Sequence, residues 1–419
     1  MGALDIVSGS HDYAGLVKEM HILHWKARPF PGLMGRVQED ERAQPVPGHT
    51  SNARRSGTLM PVAEAEQRLV AGLRPVTAQA AAVGNAIGRV LAEPLCCDAA
   101  FPAKAIALRE GWAVASDITV GASAYSPVLV AQEPEWVETG QIIPAGSDAV
   151  LSSDGVSLDH GMVAIVAAAA PGEGVRRAGE DAGRGATLRA AGERLRATDV
   201  AVAQAVGVGQ VAIRTARARI VTLRDCDADM SGGLVAAIAE ASSASVERLN
   251  LRSRDAASIA GALTQGGADL IVVIGGTGLG RDDHAAEALA RAGSLMAHGI
   301  ALRPGETSGC GLVGATPVIL APGRPEAAFA ATLVLALPCL DQLTGGSRRL
   351  SVSGRVSRKI TSTVGLTELV LLRIAGPDLE PIAVADVTLA AIARAEAWLT
   401  VAPDSEGCAA GETVTAFVL

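Results

Sequence analysis

An apolar strand running straight into four glycines within six residues, and then into a helix, is the feature that most restricts this chain. The run Leu270–Ile274 leads into Gly275-Gly276-Thr277-Gly278-Leu279-Gly280, then Arg281-Asp282-Asp283 and a helical segment to Ala292. Around it, residues 218–340 alternate short apolar runs with segments of helical spacing. Strands are predicted at Arg219–Leu223, Val246–Leu249, Leu270–Ile274 and Pro317–Leu320. Helices are predicted at Gly233–Ala241, Ala256–Thr264, Asp283–Ala292 and from Pro325 to about Leu337. Such alternation predicts a mostly parallel sheet with helices on both faces. In open sheets of this kind, ligands bind at the carboxyl ends of the strands.

Glycines at a strand-to-helix turn let backbone N–H groups approach an oxyanion, and the helix N-terminus adds a favourable dipole. The plain alternative is a tight turn with no ligand. The turn follows a third strand, so it is not a dinucleotide fingerprint, and no Gly-Lys-Ser/Thr follows to make a P-loop. Two more loops belong on the same edge, Arg303-Pro304-Gly305 and Pro322-Gly323-Arg324-Pro325, so Arg281, Arg303 and Arg324 are expected to converge on one acidic ligand. Acids follow the first two strands (Asp225, Asp255), and Glu180-Asp181 lies farther upstream. Carboxylates at strand ends can hold Mg²⁺ beside phosphates, but Asp255 and Asp283 serve equally well as helix caps.

The flanking regions differ. Residues 1–58 hold 3 of the 10 aromatics and 4 of the 7 His without sustained periodicity. They read as a disordered arm, or as an over-extended start ahead of Met60. Helical spacing predicts helices at Val62–Leu73, Val83–Leu95 and Asp199–Val206. Residues 99–187 carry short β-prone runs (128–130, 149–151, 162–166) between Gly, Pro and Asp, and residues beyond Gly345 are β-prone again. With so few aromatic rings the core is aliphatic. Scarce rings and a net charge of −8 argue against nucleic-acid binding. The six Cys show no ligand spacing, so reduced thiols are expected rather than disulfides or zinc. No secretory signal is visible, and the longest apolar stretch, Ala327–Leu340, is short for a bilayer. A cytoplasmic protein, without membrane or nucleic-acid partners, is the expectation.

Six motifs in order give the chain a resemblance. They are Gly88-Arg89-Val90-Leu91, the stretch from Thr139-Gly140 through Gly146-Ser147-Asp148-Ala149-Val150, Arg176 to Asp181, the Gly275–Gly280 turn, Arg303-Pro304-Gly305, and Pro322 to Pro325. From about Met60 onward the chain resembles the MoeA family, the molybdopterin molybdenumtransferases, also seen as the E domain of gephyrin. The resemblance implies a multidomain α/β fold. Its expected parts are a helical linker domain (59–98 plus 188–216), an inserted β-rich domain (99–187), a molybdopterin-binding α/β domain (217–346) and a C-terminal β domain (347–419). It implies a homodimer whose cleft lies between the α/β domain of one subunit and the β-rich domain of the other. It also implies Mg²⁺-assisted insertion of molybdate into adenylylated molybdopterin, with release of AMP. The expected partners are an upstream molybdopterin adenylyltransferase and an apo-molybdoenzyme.

Carried over residue by residue, Glu180, Asp225, Asp255 and Glu110 match catalytic acids, the first three also as metal ligands. The pterin side is matched by Gly275, Gly276, Thr277, Gly278, Gly280, Asp283, Arg303, Pro304, Gly305, Pro322, Gly323, Arg324 and Pro325. Departures are also plain. Ala105 replaces the first Asp of the family's FDNSAMDGYA, whose second Asp survives only as Glu110. Leu223-Arg224-Asp225-Cys226 replaces TGDE, Arg303 stands for a usual Lys, Glu306 replaces the second Lys of KPGKP, and Arg281 replaces an Asp. Two functions therefore compete: molybdenum insertion, and a catalytically degenerate paralogue that binds molybdopterin or finished cofactor for delivery. A third, adenylyl transfer, is disfavoured by the flanking β-rich regions.

Overall fold

The computed structural model describes residues 59–419 except 160–161, 224–228 and 348. The expectation for residues 1–58 therefore lies outside the described residues, as does Asp225. The core is a six-stranded sheet of β1 (Ala216–Leu223), β2 (Ala244–Leu251), β3 (Leu270–Ile274), β4 (Ser294–His298), β5 (Gly309–Val313) and β6 (Thr316–Ala321), in the order β2-β1-β3-β6-β5-β4. The first four strands of that order are parallel, and β5 and β4 add antiparallel at one edge.

Strand alternation divides the sheet's side chains between two cores. Ala218, Ile220, Leu270, Val272 and Ile274 face one side, and Val221, Leu223, Ile271 and Val273 face the other. Both sets are apolar, so both faces must be covered. Helix α3 (Met230–Ala241) and the long C-terminal helical rod cover the first side; α4 (Ala256–Thr264) and α5 (Ala285–Ala292) cover the second. Helix α1 (Val62–Val70) buries Val62, Ala65 and Leu69 in the first core. It thus packs with the α/β body rather than with the segments expected to form the linker.

The rod corrects an expectation. It runs through Pro325–Ala331, a π-helical turn Thr332–Ala336, and Leu337–Thr344, so Pro338 does not end it. A proline ring presses on the carbonyl four residues earlier, and the π turn widens the backbone there. At 20 residues the rod is long and apolar enough to cross a membrane by length and composition, yet 83% of its apolar window is buried inside the protein. It is the central core helix.

The segment Val83–Leu95, predicted helical, is not. It holds a 3-10 turn Val83–Asn85 and short strands Val90–Leu91 and Leu95–Cys96. Gly88 at φ +76° and Pro94 break the helical spacing, and Val90–Leu91 pairs with Ile213–Arg214 instead. Together with α2 (Ala197–Ala205), these strands enclose a separate small core of Leu91, Leu95, Leu195, Val200 and Ile213. Residues 99–187 form short antiparallel sheets, including Glu135–Val137 with Gly111–Val114 and Ala149–Leu151. Beyond the rod, strands Thr367–Ala375, Asp378–Val384, Ser351–Val356, Thr413–Val418 and Ala397–Val401 close into a barrel, because the first of them also pairs with the last. The short strand Leu302–Arg303 joins that barrel, with Arg303 opposite Glu368.

Candidate functional site

The glycine turn is built by its neighbours. Gly275 and Gly276 adopt φ +94° and +65°, which side chains resist. A Cβ on Gly276 would come within 2.8 Å of the buried Leu223 side chain. Gly275 N–H donates to the Ala321 carbonyl at 2.9 Å, and Ala285 N–H donates to the Gly276 carbonyl at 3.0 Å. These bonds pin both ends of the turn. Between them, the N–H groups of Gly276, Thr277, Gly278 and Leu279 have no acceptor among the described residues. Asp283 folds back into the turn, where its Oδ2 accepts Gly280 N–H at 2.8 Å. It lies 2.5 Å from where a Cβ on Gly278 would sit, so both glycines make room for that carboxylate. The buried Thr277 hydroxyl meets Thr307 at 3.4 Å, and His298 Nε2 donates to the Thr277 carbonyl at 2.8 Å.

The loop after β6 joins this turn. A Cβ on Gly323 would lie 3.5 Å from the Gly275 Cα, an ordinary contact. Ser231 Oγ, at the start of α3, donates to the Gly323 carbonyl at 2.8 Å. Asp229 caps α3: it accepts from Gly232 N–H and from the Thr222 hydroxyl, and pairs with Arg248 at 2.8 Å. Burial pushes the Asp229 carboxyl up, but Arg248, the Gly232 amide and Thr222 together hold it below the usual carboxylate range. The predicted pterin-side residues of β3 and β6 are thus brought together at the carboxyl edge.

A second feature adjoins them. Arg324, next to Gly323, lines a cleft of about 440 Å³ between the Arg303 loop and the C-terminal barrel. Arg303, Pro304 and Glu306 form one wall, and Thr361, Thr363, Glu368 and Asp386 belong to the barrel side. Arg281 is not among its walls, so only two of the three arginines expected to converge do so here. Arg303 Nε donates to Glu306 at 3.0 Å and Nη1 reaches Glu368 at 3.5 Å; Arg324 pairs with Glu326 at 3.2 Å. Burial raises the Glu306 carboxyl, but its own amide, Arg303 and Gly305 N–H hold it below the usual range.

The predicted acids are spread out. Asp255 caps α4, accepting Ser258 N–H at 2.8 Å and the hydroxyls of Ser258 and Ser253. Ser253, then Ser258, hold its carboxyl far below the usual range. Glu180 accepts Arg177 N–H at 2.7 Å within a turn. Glu110 is exposed ahead of the strand Gly111–Val114. No hydrogen bond or ion pair among the described residues ties 99–187 to 217–419. No three His, Cys, Asp or Glu side chains gather to hold a metal among them either. The expected Mg²⁺ set of Glu180, Asp225 and Asp255 includes Asp225, which lies outside the described residues. Sequence reasoning missed Asp229, Ser231, Thr307, Glu368 and Asp386. Glu368 alone left a signal, as a single acid inside the apolar run Leu366–Leu372.

Comparison with known proteins accords with this architecture. The family model described as "MoeA N-terminal region (domain I and II)" matches residues 60–207, and that described as "Probable molybdopterin binding domain" matches 219–342. A molybdopterin biosynthesis protein of Methanocaldococcus jannaschii is 21% identical over 369 residues, spanning 80% of this chain and 90% of its own. Molybdopterin molybdenumtransferase 2 of Mycobacterium tuberculosis is 26% identical over 323 residues, spanning 67% and 78%. The crystal structure of the molybdopterin biosynthesis MoeA protein of Pyrococcus horikoshii superposes with a TM-score of 0.67 at 22% identity, covering 86% of this chain and 99% of that one. Two consecutive family regions in the right order, relatives along most of the chain and a shared multidomain fold lead to one conclusion: this chain belongs to the MoeA family.

Proposed function

We propose that the protein acts in molybdenum cofactor biosynthesis as a molybdopterin molybdenumtransferase, binding adenylylated molybdopterin at the carboxyl edge of the six-stranded sheet. The observation that carries this reading is the run of four amides, Gly276 to Leu279, without acceptors among the described residues and beside the Gly323 loop. Amides so fixed suit a phosphate, which gains charge-assisted hydrogen bonds without reorganising the loop. Thr277, Gly278, Gly280 and Asp283 shape that turn, Gly323 lies at its side, and Pro322 and Pro325 belong to the same proposed pterin loop. Arg303, Pro304, Gly305 and Arg324 bound the adjoining cleft. Molybdate insertion and AMP release complete the proposed reaction.

Mg²⁺ belongs to the proposal as a requirement of the reaction, with Glu180, Asp225 and Asp255 as its proposed ligands and no step assigned to it. A homodimer, in which the β-rich region of one subunit faces the α/β edge of the other, would bring Glu180 and Glu110 toward that edge. Light scattering tests it.

A second reading, binding for delivery without turnover, is favoured by one observation: Arg303 is already paired with two carboxylates. Gly323→Asp places a carboxylate where there is room, and is expected to weaken adenylylated molybdopterin binding about tenfold or more in calorimetry, while Gly323→Ala stays near wild type. Unchanged affinity in Gly323→Asp would place the pterin elsewhere. AMP release on adding molybdate separates the two readings: the transferase releases it, a carrier does not. Asp255→Ala should lower stability by uncapping α4 and leave pterin affinity unchanged.

A further inference from the structure

Acids outnumber bases on the walls of the Arg303 cleft: Glu306, Glu368 and Asp386 face Arg303 and Arg324, and Arg324 is itself paired with Glu326. The donors of the Arg303 loop nonetheless converge. Arg303 Nε donates to Glu306 Oε1 at 3.0 Å, and Gly305 N–H donates to Glu306 Oε2 at 3.2 Å. Glu368, nearly fully buried on the neighbouring strand, holds the far side of the same guanidinium. Among the described residues Ser308 Oγ is buried without a partner, 3.3 Å from where a Cβ on Gly305 would sit. A guanidinium and an amide closing on one carboxylate form the donor set of an oxyanion site. Here the anion is the chain's own side chain.

We propose that Glu306 is a built-in stopper: its carboxylate fills the anion position of the Arg303–Ser308 loop and denies the cleft to free tetrahedral dianions. The stopper is removable, because the Glu306 side chain keeps 37% of its surface exposed and sits on a loop rather than in the core. It goes beyond the reading of the glycine turn and stands whether or not that turn takes the pterin. A dianion entering the unaltered cleft would meet three carboxylates and find Arg303 Nε and the Gly305 amide already occupied. Loss of the Glu306 carboxylate leaves Arg303 Nε and Gly305 N–H without their charged acceptor.

Calorimetry with molybdate and, separately, sulfate tests this on the full chain, with no pterin present. The wild type is expected to show no saturable binding at millimolar anion. Glu306→Gln should bind at least about tenfold tighter, and Glu306→Gln combined with Arg303→Gln should lose that gain. Thermal melting establishes that each variant is folded; if Glu306→Gln is not, Glu306→Ser is measured in its place. Equal binding by wild type and the Glu306 variant overturns the stopper. A folded Glu306 variant that binds neither anion, or binding that survives the loss of Arg303, overturns it as well.

Discussion

The glycine turn after β3 and the cleft at Arg303 adjoin through one short loop, yet they are made in opposite ways. The turn draws its donors from the backbone, fixed by positive φ angles and by hydrogen bonds to Ala321 and Ala285. The cleft draws its donors mainly from side chains, and acids of the chain itself pair with Arg303 Nε and Nη1 and with Arg324 Nε. A backbone-built site survives divergence while the glycines survive, because its donors do not depend on residue identity. A side-chain site changes sign with one substitution. That difference accounts for a chain that keeps the glycine pattern of its family and departs from it at Arg303 and Glu306.

The sharpest way to break the comparison is Gly276→Ala. The substitution forces a side chain into the left-handed region at φ +65° and against Leu223, and should destabilise the fold by about 2–4 kcal/mol in chemical denaturation. A loss near zero would mean that the turn is not held by its backbone. Arg303→Gln comes next. It leaves Glu368, 3% exposed, without its cation and should lower stability by about 1–3 kcal/mol, also read by denaturant midpoint. A neutral result would show that the Arg303–Glu368 contact does not support the cleft.

The smallest effect belongs to Glu306→Gln followed against pH. Because the Glu306 carboxyl is held below its ordinary range, the stability it adds is present above its unfolded pKa of about 4.3 and is lost as pH falls through its lower folded value. Solvent screening of this half-exposed pair keeps the difference to about 0.5 kcal/mol or less. The wild type should therefore exceed the variant slightly near neutrality, and the two should converge in acid. Curves that stay parallel into acid would show that the ion pair carries no weight.

Much of this was legible beforehand, for local reasons. Ala256–Thr264 and Leu270–Ile274 appear with the predicted bounds, because spacing and end signals agree. Val83–Leu95 misled because its apolar spacing resembled a helix while Gly88 and Pro94 forbade one. The helix expected to end at about Leu337 runs on instead, through a π turn at Thr332–Ala336 and past Pro338 to Thr344.

The sequence by itself determined the α/β body, the glycine turn at the end of its third strand and the family to which the chain belongs, since these rest on short-range periodicity and on residues with special backbone freedom. Only the tertiary structure decided that Arg303 pairs with Glu368, 65 residues away, and that Ser231 reaches the Gly323 carbonyl and Arg248 the Asp229 carboxylate at the carboxyl edge. Those outcomes depend on which strands lie side by side. Charge pairing between neighbouring strands acts through space over a few ångströms, and the order of residues along the chain does not encode that distance.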